Sequence, residues 1–257
     1  MNLRPILRYQ FREYSKVFPS LYAIIYFFFF WTLYFKYVRH TGNPSLSGME
    51  FMTMAACFGV GVALFKSAFR FFTSCGVSRR RLFCGMTAAI AVTAAAVSLL
   101  DVINTAVFSN FVGYQTFYAG LVQNQLKAGS ADFIMGEFHS GLPIYTAGFL
   151  LKNWLWYLLT DFAFAMLGFL IGVLYYRMNK PVKILVSVGV PAVCFIFLPL
   201  FDATVTHGAI GQFVSAAWAQ WTNWGLNPGL DLLTRFLLIA VLASLIWLLL
   251  RKAELYR

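Results

Sequence analysis

The chain alternates long apolar blocks with short polar connections. Six blocks, near 19–38, 49–72, 82–107, 145–175, 180–200 and 230–250, are each almost free of charge. Each is long enough to cross a bilayer as a helix, which takes about 20 apolar residues for about 30 Å of hydrocarbon. None shows the period-two alternation of a membrane barrel. The pattern predicts an all-α membrane protein with six transmembrane helices, a single transmembrane domain over residues 1–257.

A different period precedes the first block. Leu7, Phe11, Tyr14 and Phe18 recur at steps of four, three and four, one face of a helix. Arg4, Arg8, Arg12 and Lys16 recur every four residues on another face. Pro5 suits a first helical turn, and Pro19 is expected to end the unit. Residues 3–18 are therefore predicted to form an interfacial elbow helix, its charges among anionic lipid headgroups. The long charged lead, with no small-residue cleavage site after Ile24 to Phe35, predicts a retained first span rather than a signal peptide.

The connections differ in kind. The segment 39–48 is short and turn-rich, and 113–143 is the longest polar stretch, with room for a short helix around Tyr118 to Lys127. The segment 201–229 has no Lys or Arg but carries Trp218, Trp221 and Trp224 at steps of three. Tryptophan favours the membrane–water boundary, so this segment reads as a re-entrant hairpin before the last span and equally as a surface loop with aromatic anchors. Pro191 and Pro199 predict a bent fifth span. Gly168 and Gly172 form a GxxxG in the fourth, a pattern suited to close helix packing.

Composition supports the class. The chain is 60% hydrophobic and 11% charged, against about 25% charged in soluble domains. Its charge also sets an orientation. Arg4, Arg8, Arg12, Lys16, Arg70, Arg79, Arg80, Arg81, Arg177, Lys180, Lys183, Arg251, Lys252 and Arg257 fall on one side of the six-span layout, and only Lys36, Arg39 and Lys127 on the other. Basic residues near spans stay in the cytoplasm. Both termini are thus expected inside a cell (plasma) membrane, and the net charge of +11 is mainly a topology signal. Basic residues dispersed at helix ends make no nucleic-acid surface.

Active-site patterns are absent. Residues 61–67 end in Lys-Ser like a phosphate loop, but Phe65 replaces the required glycine inside an apolar span. His40, His139 and His207 are scattered over three connections, and no HExxH occurs. His139 beside Ser140 is no protease dyad. Cys57, Cys75, Cys84 and Cys194 make no CxxC and read as reduced. No catalytic residue, metal or cofactor is expected in the chain itself. Charges inside spans carry more weight, being costly there. Lys66 can snorkel to the inner surface, and Asp231 with Arg235 is spaced for a local pair. Asp101 and Asp161 both fall in the outer half of the membrane, as a functional cavity or as interhelical hydrogen bonding.

The connection between the second and third blocks, residues 70–82 and onward, reads Arg-Phe-Phe-Thr-Ser-Cys-Gly-Val-Ser-Arg-Arg-Arg-Leu-Phe-Cys-Gly. It resembles the corresponding stretch in permease subunits of type-2 ATP-binding-cassette (ABC) exporters, chiefly through Gly76, Val77, Ser78 and Arg79. Arg80 and Arg81 make it more basic than that pattern. The elbow, six spans and hairpin before the last span are similar too. The resemblance implies a coupling helix at 70–82 that docks into a separate cytoplasmic ATPase, which binds the ATP. It also implies a second permease copy, identical or not, and outward transport of a bulky amphiphile. Amphipathic toxin or antimicrobial peptides are the expected cargo, with lipids or drugs behind them; Phe51, Met52 and Met54 offer adaptable apolar contacts. The rival is a membrane binding module or ion-coupled carrier that needs no ATPase.

The charge asymmetry predicts which single cysteines an impermeant reagent reaches. In a background lacking native cysteines, replacements at Asn43, Gly129 and His207 are expected to label in intact cells. Those at Arg4, Ser78, Lys180 and Lys252 should label only after permeabilisation; labelling of Ser78→Cys from outside overturns the orientation.

Overall fold

A computed structural model describes residues 4–39, 45–116, 118–120, 138–139, 142–143, 146–189, 193–206, 208–224 and 228–251. His40, Asn43, Lys127, Gly129, Ser140, Pro191, His207, Lys252 and Arg257 lie outside them, as do the side chains of Arg4, Lys180, Cys194 and the three tryptophans of 201–229. The fold is all-α apart from two short strand pairs. The helices are α1 (Arg4–Tyr37), α2 (Glu50–Ser74), α3 (Arg79–Phe111), α4 (Ala147–Arg177), α5 (Lys180–Ile184), α6 (Leu198–Thr204), α7 (Ala209–Trp224) and α8 (Pro228–Arg251). Among the described residues, five helices are long and apolar enough to cross a membrane: α1, α2, α3, α4 and α8. The sixth apolar block is not one of them. From 180 it passes through α5, a π-helical turn Leu185–Gly189, a second one Val193–Phe197, and α6. Proline removes a backbone donor, and shifted π registers are one way a helix absorbs that loss.

The first helix departs from expectation. No break separates residues 3–18 from the first span, because α1 runs through Pro19 as one helix of 34 residues. Pro19 lies on its exposed face, where prolines in apolar helices are tolerated. The N-terminal half packs along the bundle instead of standing apart from it. Ile6 presses on Gly85 of α3, Tyr9 stacks on Phe71 at 5.6 Å, and Tyr14 packs with Val60 and Ala89. The buried stripe is Ile6, Gln10 and Tyr14; of the stripe that hydrophobicity picks out, Tyr14 is buried, Leu7 and Phe18 are half-buried against the core, and Phe11 is left exposed. Arg8, Arg12 and Lys16 are exposed as expected, and Lys16 donates to Glu13 at 2.8 Å. Further along, Phe29 stacks on Phe108 at 4.0 Å and Lys36 donates to the Phe111 carbonyl. α1 and α3 thus run side by side in the same direction.

The centre of the bundle is α4, which packs on α2, α3 and α8. Its tightest contact is with α2, and glycine makes it. A Cβ built on Gly168 would fall 2.1 Å from the Phe58 carbonyl oxygen, and one on Gly61 would fall 2.4 Å from that of Ala165. At Gly172 it would meet the Val62 carbonyl oxygen at 3.0 Å. The Gly168–Gly172 pair is therefore a backbone-on-backbone seam, with Gly61 as its counterpart. Beside the seam, Phe65, Phe69, Phe169 and Tyr176 interlock with centroids 5.0 to 5.9 Å apart. At the end away from the Gly76 turn, β1 (Ser45–Ser47) pairs in parallel with β2 (Gly113–Gln115), tying the entry of α2 to the exit of α3.

The segment read as a hairpin is helical. α6 and α7 meet around Gly208 (φ 89°), and the Asp202 carboxylate accepts the backbone N–H of Ile210 at 2.8 Å and of Gly211 at 2.7 Å. Those are otherwise orphan donors in the first turn of α7. The main contacts of α5 to α7 and the π turns are with one another, and Ile196, Phe197, Leu200 and Phe213 are all exposed.

The seam generates a test. Gly168→Ala should lower the midpoint of thermal unfolding in detergent, the overpacking costing about 1–3 kcal/mol, and Gly168→Leu should yield no folded protein. Gly59→Ala, two residues from Gly61 but facing open space, should be neutral. Equal tolerance at 59 and 168 would contradict the seam.

Candidate functional site

Two constellations stand out. The first is the turn between α2 and α3. α2 ends at Ser74, and Gly76 takes φ 75°, a conformation that side chains resist. The N–H of Val77 returns to the Phe72 carbonyl at 3.0 Å and that of Gly76 to Thr73 at 3.1 Å. This pair of bonds is the Schellman stop, and Val77 packs back onto the cluster containing Phe72. Ser78 is extended and α3 starts at Arg79. Residues 70–82 therefore form no separate coupling helix. They are the end of one long helix, a locked turn and the start of another. A Schellman stop followed at once by an N-cap leaves no room for a third helix.

The arginines here divide. The Arg79 guanidinium donates to the Arg251 carbonyl at 2.7 Å, joining the start of α3 to the end of α8. A cation at a helix C-terminus is favoured by the orphan carbonyls there. Arg80 and Arg81 are exposed, as is Arg70. The outward-facing charge at the turn thus belongs to Arg80 and Arg81.

The second constellation is buried between α1, α2, α3 and α4 towards the far end. Asp101 is 4% exposed and Asp161 fully buried, and Glu50 joins them at 2%. Asp101 is well held: Thr53 donates to Oδ2 at 2.7 Å and Tyr22 to Oδ1 at 2.9 Å. One turn on, Tyr26 donates to Asn104 Oδ1 at 2.8 Å. Asp161 differs, since neither carboxylate oxygen has a hydrogen-bond partner among the described residues. Asn153, Tyr157 and Asp161 fall at steps of four on the same face of α4, all fully buried. The Asn153 amide has no partner either, and the Tyr157 hydroxyl has Thr116 beside it but nothing at hydrogen-bond distance. A cavity of about 10 Å³, lined by Ile25, Met49, Glu50, Asp101, Asn104, Phe108 and Tyr114, adjoins the group. Among the described residues, no three His, Cys, Asp or Glu side chains converge to hold a metal ion.

The sequence places Asp101 and Asp161 in the same half of the membrane, and the structure puts them in one cluster. Glu50 escaped notice because it stands at the edge of an apolar block, where a carboxylate is ordinary. Asp231 and Arg235 do pair, at 2.9 Å. Arg235 also donates to the Thr160 hydroxyl and lies 4.3 Å over the Trp156 ring, which fastens α8 to α4. Lys66 is exposed, free to reach water along its apolar stem. No known protein family, curated protein or solved structure matches this chain.

The clasp gives a non-additive prediction. Arg235→Gln leaves Asp231 without its partner and should cost about 3 kcal/mol of stability. Adding Asp231→Asn should return at least about 1 kcal/mol of it. Additive losses in a thermal-unfolding cycle would contradict the pairing.

Proposed function

We propose that the chain is the membrane-embedded permease subunit of an ABC exporter, worked by a separate cytoplasmic ATPase. In this reading the arginine turn and both termini lie in the cytoplasm, at the plasma membrane. The broken stretch 180–204 is the remaining crossing, α7 an outer re-entrant element, and a second permease copy completes the transporter. One observation carries the reading. The turn between two long apolar helices is locked by its own backbone, and it points Arg80 and Arg81 outward. A locked turn transmits a push to both helices it joins, and exposed guanidinium groups suit an acidic docking groove. The cargo class proposed is an amphipathic toxin or antimicrobial peptide, with lipid or drug export as the alternative. A carrier independent of ATPase is the second reading, and the buried carboxylates speak for it.

The turn separates docking from folding. Because Arg79 is used internally, the informative variant is Arg80→Glu with Arg81→Glu. A Walker-motif ATPase encoded beside this chain should co-purify with the wild type. With the double variant its recovery should drop about tenfold or more, as expected for losing two charge-assisted contacts, while membrane insertion stays normal. Undiminished recovery would sink the docking assignment. Reconstituted complex should show ATPase activity stimulated by amphipathic peptide; stimulation only by lipid or drug moves the cargo to the alternative.

A further inference from the structure

We infer that Asp161, with Asp101 and Glu50, forms an intramembrane proton-binding site, loaded from the end of the bundle away from the arginine turn. Three observations meet there.

The carboxyl groups form a file. Along α2, Glu50 is the first residue, Thr53 holds Asp101, and Cys57 is the electrostatic neighbour of Asp161. At about 1.5 Å per residue these levels lie about 4 and about 10 Å in from the start of α2. The file leads from a helix end to the middle of the bundle.

Its innermost member is unsatisfied. Asp161 is fully buried with both oxygens unpartnered among the described residues, and the groups that bear on it electrostatically are Asp101 and Glu50, both acidic. The titratable groups around it are Cys57 and Glu50 from α2, Asp101 from α3, Tyr22 from α1 and Tyr157 from α4 itself. The nearest cation on α8, Arg235, is engaged with Asp231, Thr160 and Trp156 on another face of α4. A carboxylate in such a place needs a cation. Tyr157, one turn before Asp161 on the same face of α4, is a second fully buried polar side chain there, with Thr116 beside its hydroxyl. Between Glu50 and Asp101 lies a cavity of about 10 Å³, the size of one water, which suits proton passage along the file rather than a hydrated metal ion.

The way out is shortest past Glu50. Immediately beyond Cys57 and Asp161 comes the glycine seam of Gly61 and Gly168, where the backbones of α2 and α4 touch, and the cavity beside it is lined by Tyr14, Phe18, Cys57, Gly61, Thr93 and Ala165, with no carboxylate among them. The carboxyl groups continue only in the other direction, through Asp101 to Glu50 at the strand-tied end. This inference does not rest on the ATPase reading; it concerns the isolated chain.

The test uses the purified chain in lipid nanodiscs and dicyclohexylcarbodiimide. The reagent adds a carboxyl oxygen to its carbon and the carboxyl proton to its nitrogen, then rearranges to a stable N-acylurea that peptide mass spectrometry locates. Asp161 should be modified, with a rate that falls about tenfold per pH unit above a midpoint, as for one titrating group. Asp161→Asn should lose that adduct, and Asp101→Asn should shift the midpoint; the wild-type profile decides the matter should either variant misfold. Absence of modification at Asp161 at every pH, or a rate independent of pH, overturns the inference. Protection by sodium or potassium at constant pH also overturns it, since the site would then belong to a metal cation.

Discussion

The crossing of α2 over α4 fixes the rest of the bundle. Lipid tails are as apolar as leucine, so nothing expels one apolar helix onto another, and association depends on close packing and on hydrogen bonds between helices. At Gly61, Gly168 and Gly172 the two backbones meet with no side chain between them, and the dispersion contacts of two main chains replace those of lipid. On either side of that level side chains, not backbones, make the contact. Toward the arginine turn they are Phe65, Phe69, Phe169 and Tyr176. Toward the far end they are Met54, Trp156 and Tyr157, with the buried carboxyl groups beside them.

Because α4 is pinned on that side, its other faces set the places of α3 and α8. The N-terminal half of α8 is held by a cation over an indole ring, a hydroxyl and a carboxylate; the opposite end is held by Arg79 on the Arg251 carbonyl of the same helix. Polar groups in apolar surroundings are expensive unless partnered, and several of those here are partnered across helices: Tyr22 and Thr53 with Asp101, Tyr26 with Asn104. Others, Thr93, Ser98 and Thr105 among them, return to carbonyls of their own helix. Gln10, Asn153, Asp161 and the Tyr176 hydroxyl have no hydrogen-bond partner among the described residues, and of these only Asp161 is a carboxylate.

The sequence made the five long helices legible because span length is a direct consequence of bilayer thickness, and an uninterrupted apolar block shows it. The pairing of Asp231 with Arg235 and the shared level of Asp101 and Asp161 were readable for a similar reason, since helical rise converts residue number to height. What was not readable depended on partners. Pro19 looks like a stop, but a helix with neighbours along its length continues past a missing hydrogen bond. The buried face of α1 includes Gln10, which no count of apolar residues selects. The Gly168–Gly172 motif was visible, yet its weight comes from Gly61, more than a hundred positions away. Glycine at 76 was visible as well; that its turn leaves no separate coupling helix follows from backbone bonds to Phe72 and Thr73.

The two constellations are mechanically linked even though they sit at opposite ends. Glu50 rides on α2 and Asp101 on α3, and those helices are joined by the locked turn at Gly76, so a displacement of the turn moves both. Asp161 rides on α4, which the turn does not join. A shift of α2 and α3 relative to α4 would act both across the glycine seam and across the direct α3–α4 contact, and it would change the spacing between Asp161 and the other two carboxyl groups. The seam has two properties that matter for such a motion. Without side chains to interdigitate, it resists tilting less than a knob-and-hole contact does; with backbones already touching, it leaves no slack for compression. Under the proposed docking, a pivot at that level would carry a push at the arginine turn to the carboxylate file. Arg79 draws α8 into the same moving unit through the Arg251 carbonyl, while the Arg235 clasp holds the other end of α8 to α4, so α8 is the helix on which the strain of such a pivot falls.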